Sequence, residues 1–218
     1  NTAAEEETVM PILFVGHGSP MNAIEDNPFS RGMKGVGKIL PKPKAILMIS
    51  AHWETKGTFV TGQEKPPTIH DFGGFPDELF KQEYPAPGSK WLQTETKTAV
   101  SKTIVDPDLN WGFDHGAWSV TKNLYPNADI PMIQMSLDYT KDAQYHYDLG
   151  KQLSALRKKG VMIIGSGNMV HNFAYLQMKS NNFNEPFGHQ WALDANEKFK
   201  KFIFYMDMGN FHPRLKRR

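Results

Sequence analysis

The 218-residue chain contains no cysteine. Disulfides, thiolate metal ligands and a cysteine nucleophile are therefore excluded from this sequence, and any transition metal must be held by His, Asp or Glu. No apolar run approaches the ~20 residues that a membrane-spanning helix requires. The formal net charge of only +2 gives no indication of a nucleic-acid partner. We therefore expect a protein that binds neither membranes nor nucleic acid.

Several common catalytic and nucleotide-binding motifs are also missing. The chain has no G-x-x-x-x-G-K-[ST] phosphate loop and no H-E-x-x-H zinc motif. Its Gly165-Ser166-Gly167 segment does not fit the G-x-S-x-G elbow of serine hydrolases. Residues 1–8 are polar and acidic without the apolar core of a signal peptide, so we expect a cytoplasmic location. A signal removed earlier is compatible with a chain that begins with Asn.

The apolar pattern predicts an α/β fold. Four short runs are typical of strands buried on both faces, and they are residues 11–15 (PILFV), 45–49 (AILMI), 131–135 (PMIQM) and 161–164 (VMII). Residues 91–104, 143–159 and 191–206 have helical patterns, and Gly160 is a suitable end for the second. The Pro- and Gly-rich residues 56–88 predict irregular loops. After a tail at residues 1–9, we expect one domain over 10–218, with a mainly parallel or mixed sheet flanked by helices.

Histidines follow three of the four predicted strands. His17 comes just after the first run, His52 after the second, and His171 after the Gly-Ser-Gly-Asn turn that ends the fourth. In parallel α/β sheets the ligand site lies beyond the carboxyl ends of the strands. Gly16 and Gly18 give the backbone room to turn beside His17. Two imidazoles at neighbouring strand ends favour a shared metal ion, and the alternative is a turn with an incidental histidine.

Three histidines, His115, His171 and His70, have weaker local arguments than His17 and His52. His115 lies between a carboxylate and a glycine in GFDHGAW, where it could act as acid, base or hydrogen-bond donor; the alternative is a loop histidine that organises its own turn. His171 could complete the metal site or act as the general base, and the alternative is a helix-capping role. His70, in a loop with two glycines and aromatic residues, fits a loop-fixing role better than a ligand role.

Seven segments together resemble the 4,5-DOPA extradiol dioxygenase group of the class III aromatic ring-opening dioxygenases. The resemblance runs in order from about residue 10 to past residue 172. The segments are GHGSPMNAIEDNPF from Gly16, PKPKAILMISAHW from Pro41, PPTIHDFGGFP from Pro66, YPAPG from Tyr84, WGFDHGAWSV from Trp111, YPNADIPMIQMSLD from Tyr125 and GSGNMVHN from Gly165.

The resemblance implies a non-haem metal enzyme that opens the ring of a catechol with O₂ beside its hydroxyls. It places His17 and His52 on the first two metal-binding histidines of the group. It places His115 on an active-site histidine, and His171 on one described either as a metal neighbour or as the acid–base residue. Fe(II) is the implied metal for ring cleavage, and Zn(II) is the alternative. A catechol and O₂ are the implied reaction partners.

One motif of the group has no counterpart in the chain. The group carries a further metal-binding histidine in a Thr-Pro-x-His motif after the last helix, whereas this chain reaches Arg218 before such a motif. We expect that a C-terminal segment is missing, and the alternative is an incomplete set of metal ligands. Two other functions compete with ring cleavage: a zinc-dependent hydrolase-like enzyme, and an inactive relative that binds metal or aromatic compounds.

Overall fold

The structure is a computed structural model that describes residues 9–169 and 188–205. The chain divides into two compact units, residues 1–170 and 171–218, which we describe separately. In the second unit, the described part is a short lead-in and one helix, α6 (Gln190–Tyr205). Among the described residues, no helix is both long enough and apolar enough to cross a membrane.

The first unit alternates strands and helices along the chain. In its described part the strands are β1 (Ile12–Val15), β2 (Ala45–Thr55), β3 (Thr58–Thr61), β4 (Val105–Asp108), β5 (Met132–Asp138) and β6 (Val161–Ser166). The helices are α1 (Pro28–Ile39), α2 (Asp77–Phe80), α3 (Lys90–Ala99), α4 (His115–Leu124) and α5 (Ala143–Leu153). Two 3₁₀ helices, Pro20–Ala23 and Ser154–Lys159, complete it.

The six strands form one mixed sheet in the order β1-β6-β2-β5-β3-β4. The first four strands of this order are mutually parallel, and β3 joins β5 in the antiparallel direction. Strand β6 lies between β1 and β2 and is parallel to both. The carboxyl ends of these three strands therefore lie at the same edge of the sheet. This edge is where parallel α/β sheets bind ligands.

The core has two layers, one on each face of the sheet, because successive strand residues point to opposite faces. Ile46 and Met48 belong to the layer that packs against α1 and α4, together with the fully buried Trp118. Ala45 and Leu47 belong to the opposite layer, which packs against α3, α5 and the 3₁₀ helix Ser154–Lys159. The predicted α/β class, with a sheet flanked by helices, is confirmed.

The four predicted strands are present, but several other expectations were incomplete. Strands β3 and β4 were not predicted, and β3 lies within the region expected to be irregular loop. The helix expected over residues 91–104 ends at Ala99. Burial of both faces holds for β2, β5 and β6, whereas Ile12 and Phe14 of the edge strand β1 are exposed. The domain bounds of 10–218 stay a prediction.

Candidate metal centre

His17 and His52 meet at the carboxyl edge of the sheet. His17 follows β1 and is buried, and Gly18 beside it has a φ of +64°, a left-handed conformation in which glycine is favoured. His52 lies inside β2 rather than after it, because this strand continues to Thr55. The Nε2 atoms of the two imidazoles are 3.0 Å apart. The prediction that these two histidines come together agrees with this geometry.

His115 is the third histidine of the cluster. It is the first residue of α4 rather than a loop residue, and the preceding Asp114 caps the helix by accepting a hydrogen bond from the Ala117 amide at 3.1 Å. The His115 ring centroid lies 3.9 Å from that of His52 and 5.4 Å from that of His17. One ligand nitrogen from each of the three rings therefore lies within 4.8 Å of the other two.

The spacing of these nitrogens fits a metal ion. Imidazole nitrogens bind transition metals such as Zn²⁺ at about 2.0–2.1 Å, so two nitrogens on one ion lie about 2.9 Å apart at right angles and about 3.3 Å apart in the tetrahedral geometry of zinc. The 3.0 Å between the Nε2 atoms of His17 and His52 lies between these two separations. Neutral imidazole also suits Fe(II) and Cu(II), so the donor atoms are compatible with more than one transition metal.

Ser166 fixes the ring of His17. Its hydroxyl donates to the Gly116 carbonyl at 2.6 Å, because a carbonyl oxygen only accepts. The same hydroxyl oxygen therefore accepts from His17 Nδ1 at 2.9 Å. With a proton on Nδ1, the neutral His17 ring presents an unprotonated Nε2 to His52, as a metal ligand requires.

Asp71 contacts the other two histidines. Its Oδ1 accepts hydrogen bonds from the His115 amide at 2.8 Å and from His115 Nδ1 at 3.0 Å. Its Oδ2 lies 3.5 Å from His52 Nδ1. Burial raises the pKa of this carboxyl, but the hydrogen bonds from His115 outweigh burial and hold the pKa below its usual value. Asp71 is therefore a carboxylate that faces two imidazoles.

Asp114 links α4 to the strands next to the histidines. Its carboxyl is fully buried and contacts the amide of Gln134 and the hydroxyl of Ser50. Burial raises the pKa of Asp114 above its usual value despite these hydrogen bonds. The Ser50 hydroxyl also accepts a hydrogen bond from the His52 amide at 3.2 Å. The contact between Asp114 and Ser50 therefore connects the start of α4 to the part of β2 that carries His52.

Gly116 permits the close approach of α4 to β2. A Cβ at this position would lie 2.4 Å from Ser50 Oγ, closer than real Cβ atoms come, and 3.0 Å from His52 Cδ2, tighter than most real Cβ contacts. Any larger residue must therefore displace the hydroxyl or the imidazole. A glycine directly after His115 is what lets α4 bring that histidine to the sheet edge.

Aromatic residues of the loop before α2 cover one side of the cluster. Phe72 meets the His115 ring edge-on with centroids 5.6 Å apart, and it also contacts Phe75 and Phe80. The loop is held to α4 by the indole of Trp118, which donates to the Ile69 carbonyl at 2.9 Å. An apolar wall beside polar nitrogens is typical of a site for an aromatic ligand.

Two further described histidines of the first unit, His70 and His146, have other partners. His70 Nε2 donates to the Gln82 carbonyl at 2.9 Å, in agreement with the loop-fixing role expected for it. His146 of α5 contacts the Asp138 carbonyl at 3.2 Å. His171 lies outside the described residues. The cluster residues that the sequence did not indicate are Asp71, Asp114 and Ser166, since their contacts join segments 20 to 149 residues apart.

Comparison with known proteins gives one consistent family. The profile of the family described as "Catalytic LigB subunit of aromatic ring-opening dioxygenase" matches residues 11–208. A protein of Escherichia coli K12 named 4,5-DOPA dioxygenase extradiol is 46% identical over 207 residues, which are 94% of this chain and 75% of that protein. A Beta vulgaris protein with the same name is 40% identical over 172 residues, which are 76% of this chain and 64% of that protein.

A solved structure is similar as well. The crystal structure of an uncharacterized protein from Escherichia coli K12 aligns with a TM-score of 0.73 and 40% sequence identity. The alignment covers 88% of this chain and 72% of that one. The α/β architecture and the sequence similarity therefore agree on the same relatives.

Proposed function

We propose a DOPA-like catechol as the substrate of this chain, which belongs to the family of catalytic LigB subunits of aromatic ring-opening dioxygenases. It is accordingly an enzyme, a non-haem extradiol dioxygenase that adds both atoms of O₂ to an aromatic ring beside its hydroxyls. The observation that most supports this metal-dependent function is the cluster of His17, His52 and His115, from each of which one nitrogen lies within 4.8 Å of the others.

His17 and His52 are the proposed metal ligands, with His171 as a further ligand or proton-transfer residue. A metal ion is supported by the family and by the histidine cluster. We propose Fe(II) for ring cleavage, and Zn(II) suits the same nitrogens. When bound, the metal supplies binding positions for the catechol oxygens and O₂ and a path for electrons between them.

His115 is the proposed proton-transfer residue. Its Nδ1 is hydrogen-bonded to Asp71, so Nε2 is the nitrogen that can take a proton from a catechol hydroxyl. Its ring also lies close enough to His52 to provide a third metal ligand. The metal content of His115→Ala separates these roles. If His115 only transfers protons, the variant should keep its metal, and if His115 is a ligand, the variant should bind less metal.

The substrate class is supported by the wall beside the cluster. Phe72 and its aromatic neighbours form an apolar surface next to His115, which suits the face of a planar ring. The Escherichia coli and Beta vulgaris relatives are named for cleavage of DOPA, and we extend that class of substrate to this chain. A cytoplasmic location stays a prediction.

Oxygen uptake tests the proposed function. The protein is loaded with Fe(II) in the absence of oxygen and then mixed with L-DOPA and O₂. We expect one O₂ to be consumed for each L-DOPA and a yellow semialdehyde or its cyclised product to form. His17→Ala and His52→Ala should lose both metal and activity, and His115→Ala should lower turnover by ~10²–10⁴-fold. His146→Ala, which changes a histidine away from the cluster, is the matched control and should keep both.

The competing functions predict different results. A zinc-dependent hydrolase would bind Zn(II) and consume no O₂, and an inactive relative would bind metal or catechol without turnover. Absence of O₂ uptake with a panel of catechols, in a metal-loaded sample that retains bound metal, would overturn the proposal.

A further inference from the structure

We propose that Asn22 is a positioning residue that fixes the main chain of His17, and with it the direction from which this histidine approaches the metal. The inference rests on the proposed function in one respect, namely that His17 is a metal ligand. Asn22 acts through His17 and needs no contact with the metal, the substrate or O₂.

Asn22 reaches His17 from the 3₁₀ helix Pro20–Ala23, which follows it in the chain. Its side-chain NH₂ group donates a hydrogen bond to the His17 carbonyl at 3.1 Å, and both residues are buried. The turn between them depends on Gly18, which has a φ of +64°. A Cβ on this glycine would lie 3.2 Å from Asn22 Nδ2, so a side chain there would crowd the amide that holds His17.

The orientation of the Asn22 amide is fixed by its partner Asn27. At the start of α1, the main-chain amides of Phe29 and Ser30 donate to Asn27 Oδ1 at 3.0 Å each. Because these amides only donate, the other end of the Asn27 side chain is its NH₂ group, which donates to Asn22 Oδ1 at 2.9 Å. The NH₂ group of Asn22 is therefore the end that faces the His17 carbonyl. A chain of hydrogen bonds with defined donors connects the first turn of α1 to His17.

The main chain of Asn22 is attached to α4. Asn123 Nδ2 donates to the Asn22 carbonyl at 2.9 Å. Ser166 joins the ring of His17 to a carbonyl of the same helix. His17 is thus linked to α4 twice, by its ring through Ser166 and by its main chain through Asn22. Since His115 is the first residue of α4, the two links together set the position of one histidine of the cluster relative to another.

The loss of the Asn22 side chain should alter the metal site in a specific way. The buried His17 carbonyl loses this donor, and the turn at Gly18 can shift to find another. The ring of His17 keeps its contact with Ser166, so it still presents Nε2, but from a changed direction. We therefore expect a changed coordination geometry as well as a lower affinity for metal.

The experiment titrates the metal-free protein with Zn(II) and, separately, with Co(II), whose visible absorption bands depend on coordination geometry. In Asn22→Ala the affinity for Zn(II) should fall by ~10–100-fold. The bands of Co(II) at saturation should shift in position and intensity relative to those of the unsubstituted protein. A role in stability alone would leave the bands of the folded, saturated protein where they are.

Thr121→Val is the matched control, because it removes another buried polar group. The Thr121 hydroxyl donates to the Ala117 carbonyl at 2.9 Å within α4 itself. This variant should lose stability but keep the Zn(II) affinity and the Co(II) bands of the unsubstituted protein.

Unchanged Co(II) bands in a folded, metal-saturated Asn22→Ala, or an equal shift in Thr121→Val, would overturn the inference. If Asn22→Ala does not fold by circular dichroism, Asn22→Ser takes its place with the same expected shift. Its hydroxyl fills part of the space but is too short to reach the His17 carbonyl. Failure of the proposed function shows separately in the unsubstituted protein, as absence of O₂ uptake despite bound metal.

Discussion

Gly116→Ala is the substitution that most directly tests how α4 brings His115 to the sheet. The added methyl group would lie 2.4 Å from Ser50 Oγ, 3.0 Å from His52 Cδ2 and 3.3 Å from Asp114 Oδ1. A rotation of the Ser50 hydroxyl relieves the first overlap only, at the expense of its contacts with Asp114 and the His52 amide. The imidazole of His52 must then move as well.

The magnitude follows from a comparison of two opposing effects. Alanine is favoured over glycine by about 1 kcal/mol in a helix interior. A methyl group forced into a well-packed core costs about 1–3 kcal/mol. Gly150 of α5 supplies the reference, since a Cβ there meets nothing within 4 Å. Gly116 is only the second residue of α4, so its replacement by alanine gains less of this helix preference than that of Gly150 in the interior of α5. Gly116→Ala should therefore be less stable than Gly150→Ala by at least the packing cost, about 1–3 kcal/mol.

Urea denaturation of the two variants and the unsubstituted protein measures this difference. Gly150→Ala should be at least as stable as the unsubstituted protein, whereas Gly116→Ala should be less stable than Gly150→Ala by the stated amount. Gly116→Ala should also bind metal more weakly, because His52 is displaced. Equal stabilities of the two alanine variants, with unchanged metal affinity, would refute the close packing of α4 against β2 as the reason for glycine at this position.

Three further substitutions and one addition have defined outcomes. Ser166→Ala leaves the buried His17 Nδ1 and the Gly116 carbonyl without this hydroxyl; it should lower the free energy of unfolding in urea by about 1–3 kcal/mol, and an unchanged value would contradict the contact. Trp118→Ala should cost about 3–5 kcal/mol in the same assay, because this side chain is fully buried. Asn27→Ala removes the capping box of α1 and the donor to the buried Asn22 Oδ1, so it should cost about 1–3 kcal/mol, whereas Asn27→Ser keeps a helix cap and should cost less. Zn(II) at a hundred times its Kd should raise the free energy of unfolding by about 2.7 kcal/mol, and it should not do so in His17→Ala.

The parts of the fold predictable from sequence are those whose signal is local. The four predicted strands are runs of apolar residues buried in a parallel sheet, so each run is visible by itself. Strands β3 and β4 are four residues long, and Pro107 in β4 is unusual for a strand. Helix α4 was not predicted, since its first residues, His115 and Gly116, are typical of a turn. Its capping residue Asp114 was the available signal.

The site was predictable in part for the same reason. His17 and His52 follow apolar runs, and the rule for parallel sheets brings such positions together. Asp71 has no such rule, because it lies in a loop and meets His115 across 44 residues. The sequence analysis assigned a loop-fixing role to its neighbour His70 and made no prediction for Asp71. The carboxylate between two imidazoles is a product of tertiary packing, and a single sequence carries no sign of it.

The position of β6 has a consequence for how the protein is made. Among the strands that the structure describes, β6 is the last in chain order, yet it lies between β1, which leads into His17, and β2, which carries His52. As the chain leaves the ribosome, these histidines are synthesised long before the strand that separates and aligns them. We expect the metal site to appear only after residues 161–166 have emerged and inserted, a late step because it joins distant segments. A ribosome-bound chain stalled before Val161 should bind no metal at His17 and His52, and metal bound by such a chain would show that the site forms without its central strand.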